Sequence, residues 1–176
     1  AERRYVMNVV ITLPEDLIKA IIWGEKFIEV RSKVPLHFDK NKDVVFVVQK
    51  GSDKVPLYFT ITRFFYYDGL SDTKYIAKNA AVSVDYINNY RKGKKFICSW
   101  VIGYACKVDC PFGLYSDLKI YRNPQSFIYR DYEWRQIEFT SYVWLNKPNY
   151  FSQKLIPTLE YANYMRSLSS AKPSTL

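Results

Sequence analysis

Gly24-Glu25-Lys26-Phe27-Ile28-Glu29-Val30-Arg31 decides how this chain is read. The residues before it form an amphipathic helix, because Leu17, Ile18, Ile21 and Ile22 recur at helical spacing. Gly24 is placed to end that helix, and residues 26–31 then read as a strand. In a strand, Phe27, Ile28 and Val30 must pack. Lys26, Glu29 and Arg31 must then line a cleft, pair with one another or reach water at an edge. Glu29 and Arg31 are two apart and share a face.

Working outward, residues 8–11 read as a first strand. Thr12 is a helix cap with Glu15 three residues on, and Pro14 is tolerated in the first turn. Residues 32–42 form a loop, 43–50 a buried β-branched strand, and 55–65 an alternating, half-buried strand. That alternation sets Tyr58 opposite Leu57 and Phe59, facing the open side. Residues 70–81 stay undecided. Residues 83–90 read as a short helix ended by Arg91-Lys92-Gly93, and 95–107 as another long strand. Pro111-Phe112-Gly113 is expected to break the chain. Strands rich in Tyr and Trp follow over residues 127–145, then a helix over 150–169 with Leu155, Leu159, Ala162 and Met165 on one side. Strands without regular long helices between them predict an α+β chain. Its antiparallel or mixed sheet curls toward a barrel.

A length of 176 residues suits one domain, and 48% hydrophobic against 24% charged residues makes it globular. Lys and Arg number 26 against 17 acids, a net charge of +9. Such a surface attracts polyanions, namely nucleic acid, nucleotides or an anionic membrane, or serves only solubility. The three cysteines, Cys98, Cys106 and Cys110, are an odd number, and His37 is the only histidine. Free buried thiols in a reducing, cytoplasmic compartment are expected, with no metal and no cofactor. No apolar run is long enough to span a bilayer, and the N-terminus lacks a signal-peptide core.

With these elements in place, the sequence resembles the ASCH superfamily. The motif G-x-K-x-x-E-x-R is met by Gly24, Lys26, Glu29 and Arg31. A later P-Q-S-aromatic element is met by Pro124, Gln125, Ser126 and Phe127, and a helix ended by Tyr90-Arg91-Lys92-Gly93-Lys94-Lys95-Phe96 lies between them. The resemblance spans residues 9–132. It implies a PUA-like fold, a small β-barrel with helices plugging its ends, and a cleft beside the barrel that binds RNA or a modified nucleoside. Some members are hydrolases. Those that cleave acetylated cytidine use the lysine of the motif, a threonine three residues on and a later glutamate. Lys26 matches the lysine, Glu29 stands in place of the threonine, and no acid stands clearly at the third position. Some members are ribonucleases, an activity that maps to no residue here.

The resulting expectation is a lead-in over residues 1–7, an ASCH-type domain over 8–145 and a C-terminal helical extension over 146–176. Lys26 and Arg31 would bind phosphate or a carbonyl oxygen, while Glu29 accepts from a base or sugar hydroxyl. The bland alternative is a Glu29–Arg31 brace with Lys26 snorkelling to water. Gln125 and Ser126 suit reading a base edge, or else satisfy their own loop. Arg91, Lys92, Lys94 and Lys95 with Tyr90 and Phe96 read as a solvated helix end, or as a phosphate track if Lys40, Lys42 and Lys50 lie on the same face. Trp23 reads as core, or else stacks on a base at the cleft mouth. The favoured function is RNA or modified-nucleotide binding, with no membrane partner. One alternative is a hydrolase using Lys26 and Glu29 catalytically. Another is an interaction module that forms a homodimer through the aromatic region of Tyr129, Tyr132, Trp134, Phe139, Tyr142 and Trp144.

Overall fold

The run Asn-Val-Val-Ile-Thr-Leu forms β1 (Asn8–Leu13), whose residues are nearly all buried. In this computed structural model, residues 7–67, 73–137 and 139–144 are described. The expected N-terminal lead-in, apart from Met7, and the C-terminal helical extension lie outside them. After β1 come α1 (Glu15–Ile22), β2 (Ile28–Arg31), β3 (Val45–Gln49) and β4 (Lys54–Tyr67). Then follow α2 (Thr73–Ala80), α3 (Val84–Tyr90), β5 (Ile97–Gly113), β6 (Ile128–Arg130), a 3-10 turn (Trp134–Gln136) and β7 (Phe139–Trp144).

The strands form one seven-stranded sheet in the order β2-β5-β4-β3-β1-β6, with β7 paired to β5 off that path. β1 and β3 run parallel, and the other pairs are antiparallel, so the sheet is mixed. A parallel pair needs a crossover, and α1 with β2 supplies it.

β3 reads as an unbroken apolar run because it is buried on both faces. Val45 and Val47 join the core under α1, while Val44, Phe46 and Val48 join a second core on the opposite face. A third cluster holds α2 and α3 against β2 and β5 through Ile28, Val30, Ile76, Ile87 and Val101. The Cys98 and Cys106 thiols are free and buried. No helix among the described residues is long and apolar enough to cross a membrane.

Several expectations are corrected. Among the described residues the sheet curls without closing into a hydrogen-bonded barrel, because β2 and β6 end its strand order unpaired with each other. The ends nevertheless approach each other. Arg31 on β2 donates through Nη1 to the Ser126 carbonyl at 3.3 Å and through Nη2 to the Thr12 carbonyl at 3.4 Å. One side chain thus bridges the seam that a ladder would close.

Thr12 does not cap α1, because β1 continues through it and Pro14 takes the cap position without a side-chain bond. The Thr12 hydroxyl donates instead to the Pro124 carbonyl at 2.7 Å. Gly24 does end the helix segment, at φ 76, a conformation costly for other residues. Pro111 does not break the chain. Leu57 pairs with Lys107 and Val55 with Phe112, so β5 carries extra residues there, and Pro111 falls in that irregularity where no ladder donor is required. Trp23 is 68% exposed and not core.

Tyr58 faces no open side. It is 2% exposed and packs at 5.7 Å from Trp134, because the second face of the sheet is covered by the 3-10 turn. Tyr132 stacks on Phe112 and Trp134 donates to the Lys42 carbonyl, so these two aromatics are engaged within the chain. Phe139, Tyr142 and Trp144 lie on β7, for which backbone pairing alone is described.

Candidate functional site

The end of β1, the start of α1, β2 and α3 enclose a cleft of about 240 Å³. β2 fixes its floor. Ile28 and Val30 turn into the core under α2 and α3, so Glu29 and Arg31 turn the other way, into the cleft. The pairing Glu29 with Trp100 and Arg31 with Cys98 holds that strand in register.

Lys26 precedes the strand rather than belonging to it, since β2 starts at Ile28. It is 1% exposed. Its ammonium donates to the Ile28 and Ala80 carbonyls, each at 2.8 Å, and lies 3.8 Å from Glu29 Oε2. Burial pulls its pKa down from the usual lysine value. Glu29 opposes that shift, Arg31 reinforces it and Asp16 weakly opposes it.

Glu29 is 6% exposed, and its Oε2 is buried without a hydrogen-bond partner. Arg31 Nε stands 3.7 Å from Glu29 Oε1, and the guanidinium lies 5.9 Å from the Trp100 ring centre. Two cations therefore flank one carboxylate, both beyond hydrogen-bond distance of it.

Tyr86 and Tyr90, one turn apart on α3, form the aromatic wall. Their rings are near-parallel, with centroids 6.2 Å apart and planes 9° off. Tyr86 is 51% exposed. Burial and then the Glu29 charge raise the pKa of its hydroxyl. Lys50 completes the lining because its amide bonds the Leu13 carbonyl at 2.8 Å, one residue past the parallel register.

Among residues expected at the site, Lys26, Glu29 and Arg31 come together. Gln125 and Ser126 have exposed side chains and do not line the cleft; the Pro124 turn reaches it through the backbone oxygens that Thr12 and Arg31 bind. Tyr58 lies in the opposite core. The basic run starts where the aromatic wall ends. Lys94 Nζ sits 4.4 Å over the Tyr90 ring, Lys95 caps the Phe96 ring, Lys92 is exposed, and Arg91 reaches the Thr73 hydroxyl. Tyr86 was missed; of Lys40, Lys42 and Lys50, considered as companions of the basic run, Lys50 lines this cleft and Lys40 lines another groove. The spacing of Tyr86 and Tyr90 marks one helix face, but nothing local in the sequence sets Lys50 beside it.

A larger groove of about 370 Å³ lies elsewhere, between Lys40, Asp43, Thr60, Gly103 and Trp134. Its polar atoms serve the fold: Asp43 accepts from Met7 and Asp39 amides, and Thr60 accepts from the Tyr104 amide. No cluster able to hold a metal ion occurs among the described residues.

No family model and no curated protein matches the chain by sequence. Solved structures do match by shape. An ASCH protein from Zymomonas mobilis is similar at a TM-score of 0.57 and 18% identity, covering 93% of this chain and 96% of that one. Its serine-to-alanine mutant gives a TM-score of 0.60 at 17% identity, covering 93% and 96% of the two chains. Its tyrosine-to-phenylalanine mutant gives 0.54 at 18% identity, covering 93% and 99%. At this identity the likeness defines the fold, and the chain has the ASCH fold.

Proposed function

We propose that this chain, with its ASCH fold, binds single-stranded RNA and seats one nucleotide in the cleft between β2 and α3. The observation that carries this reading is the near-parallel Tyr86–Tyr90 pair set beside Arg31 and Lys50. Aromatic faces next to cations suit an unpaired base and its phosphate. The run from Arg91 to Lys95 extends the same wall and offers neighbouring phosphates a path.

The hydrolytic alternative asks Lys26 to act as a neutral nucleophile or base. The residue is 1% exposed and its nitrogen engages two carbonyl oxygens, which suits an anchor that fixes Ala80 and β2. Binding therefore takes precedence over turnover.

Fluorescence anisotropy with a labelled single-stranded RNA tests the proposal. Affinity should fall linearly on a log–log salt plot. Tyr86→Ala, at an exposed position, should weaken binding by about 1–3 kcal/mol. Lys92→Ala should lower the magnitude of the salt slope by roughly 0.7. No binding at low salt, or salt-independent binding indifferent to Tyr86→Ala, would refute the reading.

A further inference from the structure

We infer that Glu29 selects the base in this cleft, and that the base is guanine. The inference rests on the RNA-binding reading and adds a specificity to it.

Glu29 is 6% exposed, lines the cleft, and leaves Oε2 buried with no donor. A buried charged oxygen without a hydrogen bond is costly and rare in a settled core. The two cations beside it do not supply the bond. Lys26 Nζ is 3.8 Å away and gives hydrogen bonds to the Ile28 and Ala80 carbonyls. Arg31 directs Nη1 and Nη2 to the Ser126 and Thr12 carbonyls, and its Nε is 3.7 Å from Oε1. The cations balance the charge, while the acceptor capacity stays open.

The strand makes that acceptor rigid. Glu29 lies between buried Ile28 and Val30 and is paired with Trp100, so its backbone is fixed. The terminal torsion is the soft one, and an incoming base must turn it to bring the buried Oε2 round to the cleft that the residue lines. An ionised carboxylate accepts and never donates. Two parallel oxygens match two parallel N–H groups, as in bidentate pairing with arginine.

Among the four RNA bases, guanine alone offers that edge, through N1–H and the N2 amino group. Adenine and cytosine each place a ring-nitrogen lone pair beside their amino group. Uracil flanks its single N–H with two carbonyl oxygens. Each of these sets an acceptor against the carboxylate, a mismatch that repels. The Tyr86 ring supplies stacking to any base, so discrimination falls to Glu29.

The test uses heptauridylate whose central nucleotide is kept or replaced by guanosine, adenosine, cytidine, inosine or 1-methylguanosine. Dissociation constants are read by competition against a labelled strand. The guanosine strand should bind about tenfold or more tighter than the uridine, adenosine and cytidine strands. Inosine, lacking the N2 amino group, should fall between. The 1-methylguanosine strand, lacking N1–H, should bind like uridine. In Glu29→Gln the guanosine preference should shrink to within about threefold, with salt-dependent binding of heptauridylate retained. The nucleotide series on the unmodified protein decides the matter even where that variant folds poorly. Equal, salt-dependent affinity for all strands would overturn guanine selection and leave RNA binding standing. A preference for adenosine or cytidine, or full binding of 1-methylguanosine, would also overturn it. No binding to any strand would remove both.

Discussion

Replacing Lys26 by methionine keeps the unbranched stem, one atom shorter, and removes the charge and three donors. In the native chain those donors hold the Ile28 and Ala80 carbonyls at 2.8 Å, inside a site 1% exposed. The ammonium also faces Glu29 Oε2 at 3.8 Å. At an effective dielectric of about 20 that separation corresponds to roughly 4 kcal/mol of attraction, largely offset by the cost of burying the ammonium itself. Losing one partner of a buried pair, with two carbonyls left unbonded, should cost about 3–5 kcal/mol. Against a typical domain stability of about 5–15 kcal/mol, the variant should stay measurable. Urea unfolding followed by tryptophan fluorescence gives the answer, since Trp100 is fully buried. The midpoint should fall with an unchanged slope. A loss below about 1 kcal/mol, or a gain, would refute the view that Lys26 ties α2 to β2. A double-mutant cycle sharpens the result: Glu29→Gln should be less harmful in the Lys26→Met background than alone, and strict additivity would show that the two charges do not interact.

Alkali should destabilise the protein. Burial raises the Cys98 and Cys106 thiols above the unfolded value of 9.0. Their contribution is complete below about pH 9 and is lost as pH rises toward the folded pKa values, because the unfolded chain releases those protons first. Each thiol gives at most about 1.4 kcal/mol per pH unit in that window. Tyr58, Tyr86, Tyr129 and Tyr132, also raised, act in the same direction above 10.0, while Lys26, lowered, opposes up to 10.5. Urea midpoints should therefore decline from about pH 9 upward, and Cys98→Ala with Cys106→Ala should flatten the first part of the decline. A midpoint level across that range in the parent protein would contradict the assignment. Tyr58→Phe should cost about 1 kcal/mol by removing the hydroxyl bonded to Cys106, and should leave RNA affinity unchanged in the anisotropy assay.

The sequence carried the cleft floor in two-residue spacing, since Glu29 and Arg31 had to share a face once Ile28 and Val30 were packed. It carried the mixed sheet in the order of its elements. What it hid depends on long-range contact. Lys26 finds its anchor in Ala80, on the helix that local pattern left undecided, so its burial was not visible locally. Tyr58 alternates like a residue on a solvated face, yet the 3-10 turn, more than seventy positions later, covers that face. Thr12 looks like a cap because its spacing to Glu15 is right, but pairing with β3 extends β1 through it. Lys50 reaches the cleft by parallel register alone.

Arg31 has one further consequence. The same guanidinium that borders the ligand hollow also fastens the two free margins of the curved sheet. A change of ligand preference made at this position would loosen the framework at the same stroke.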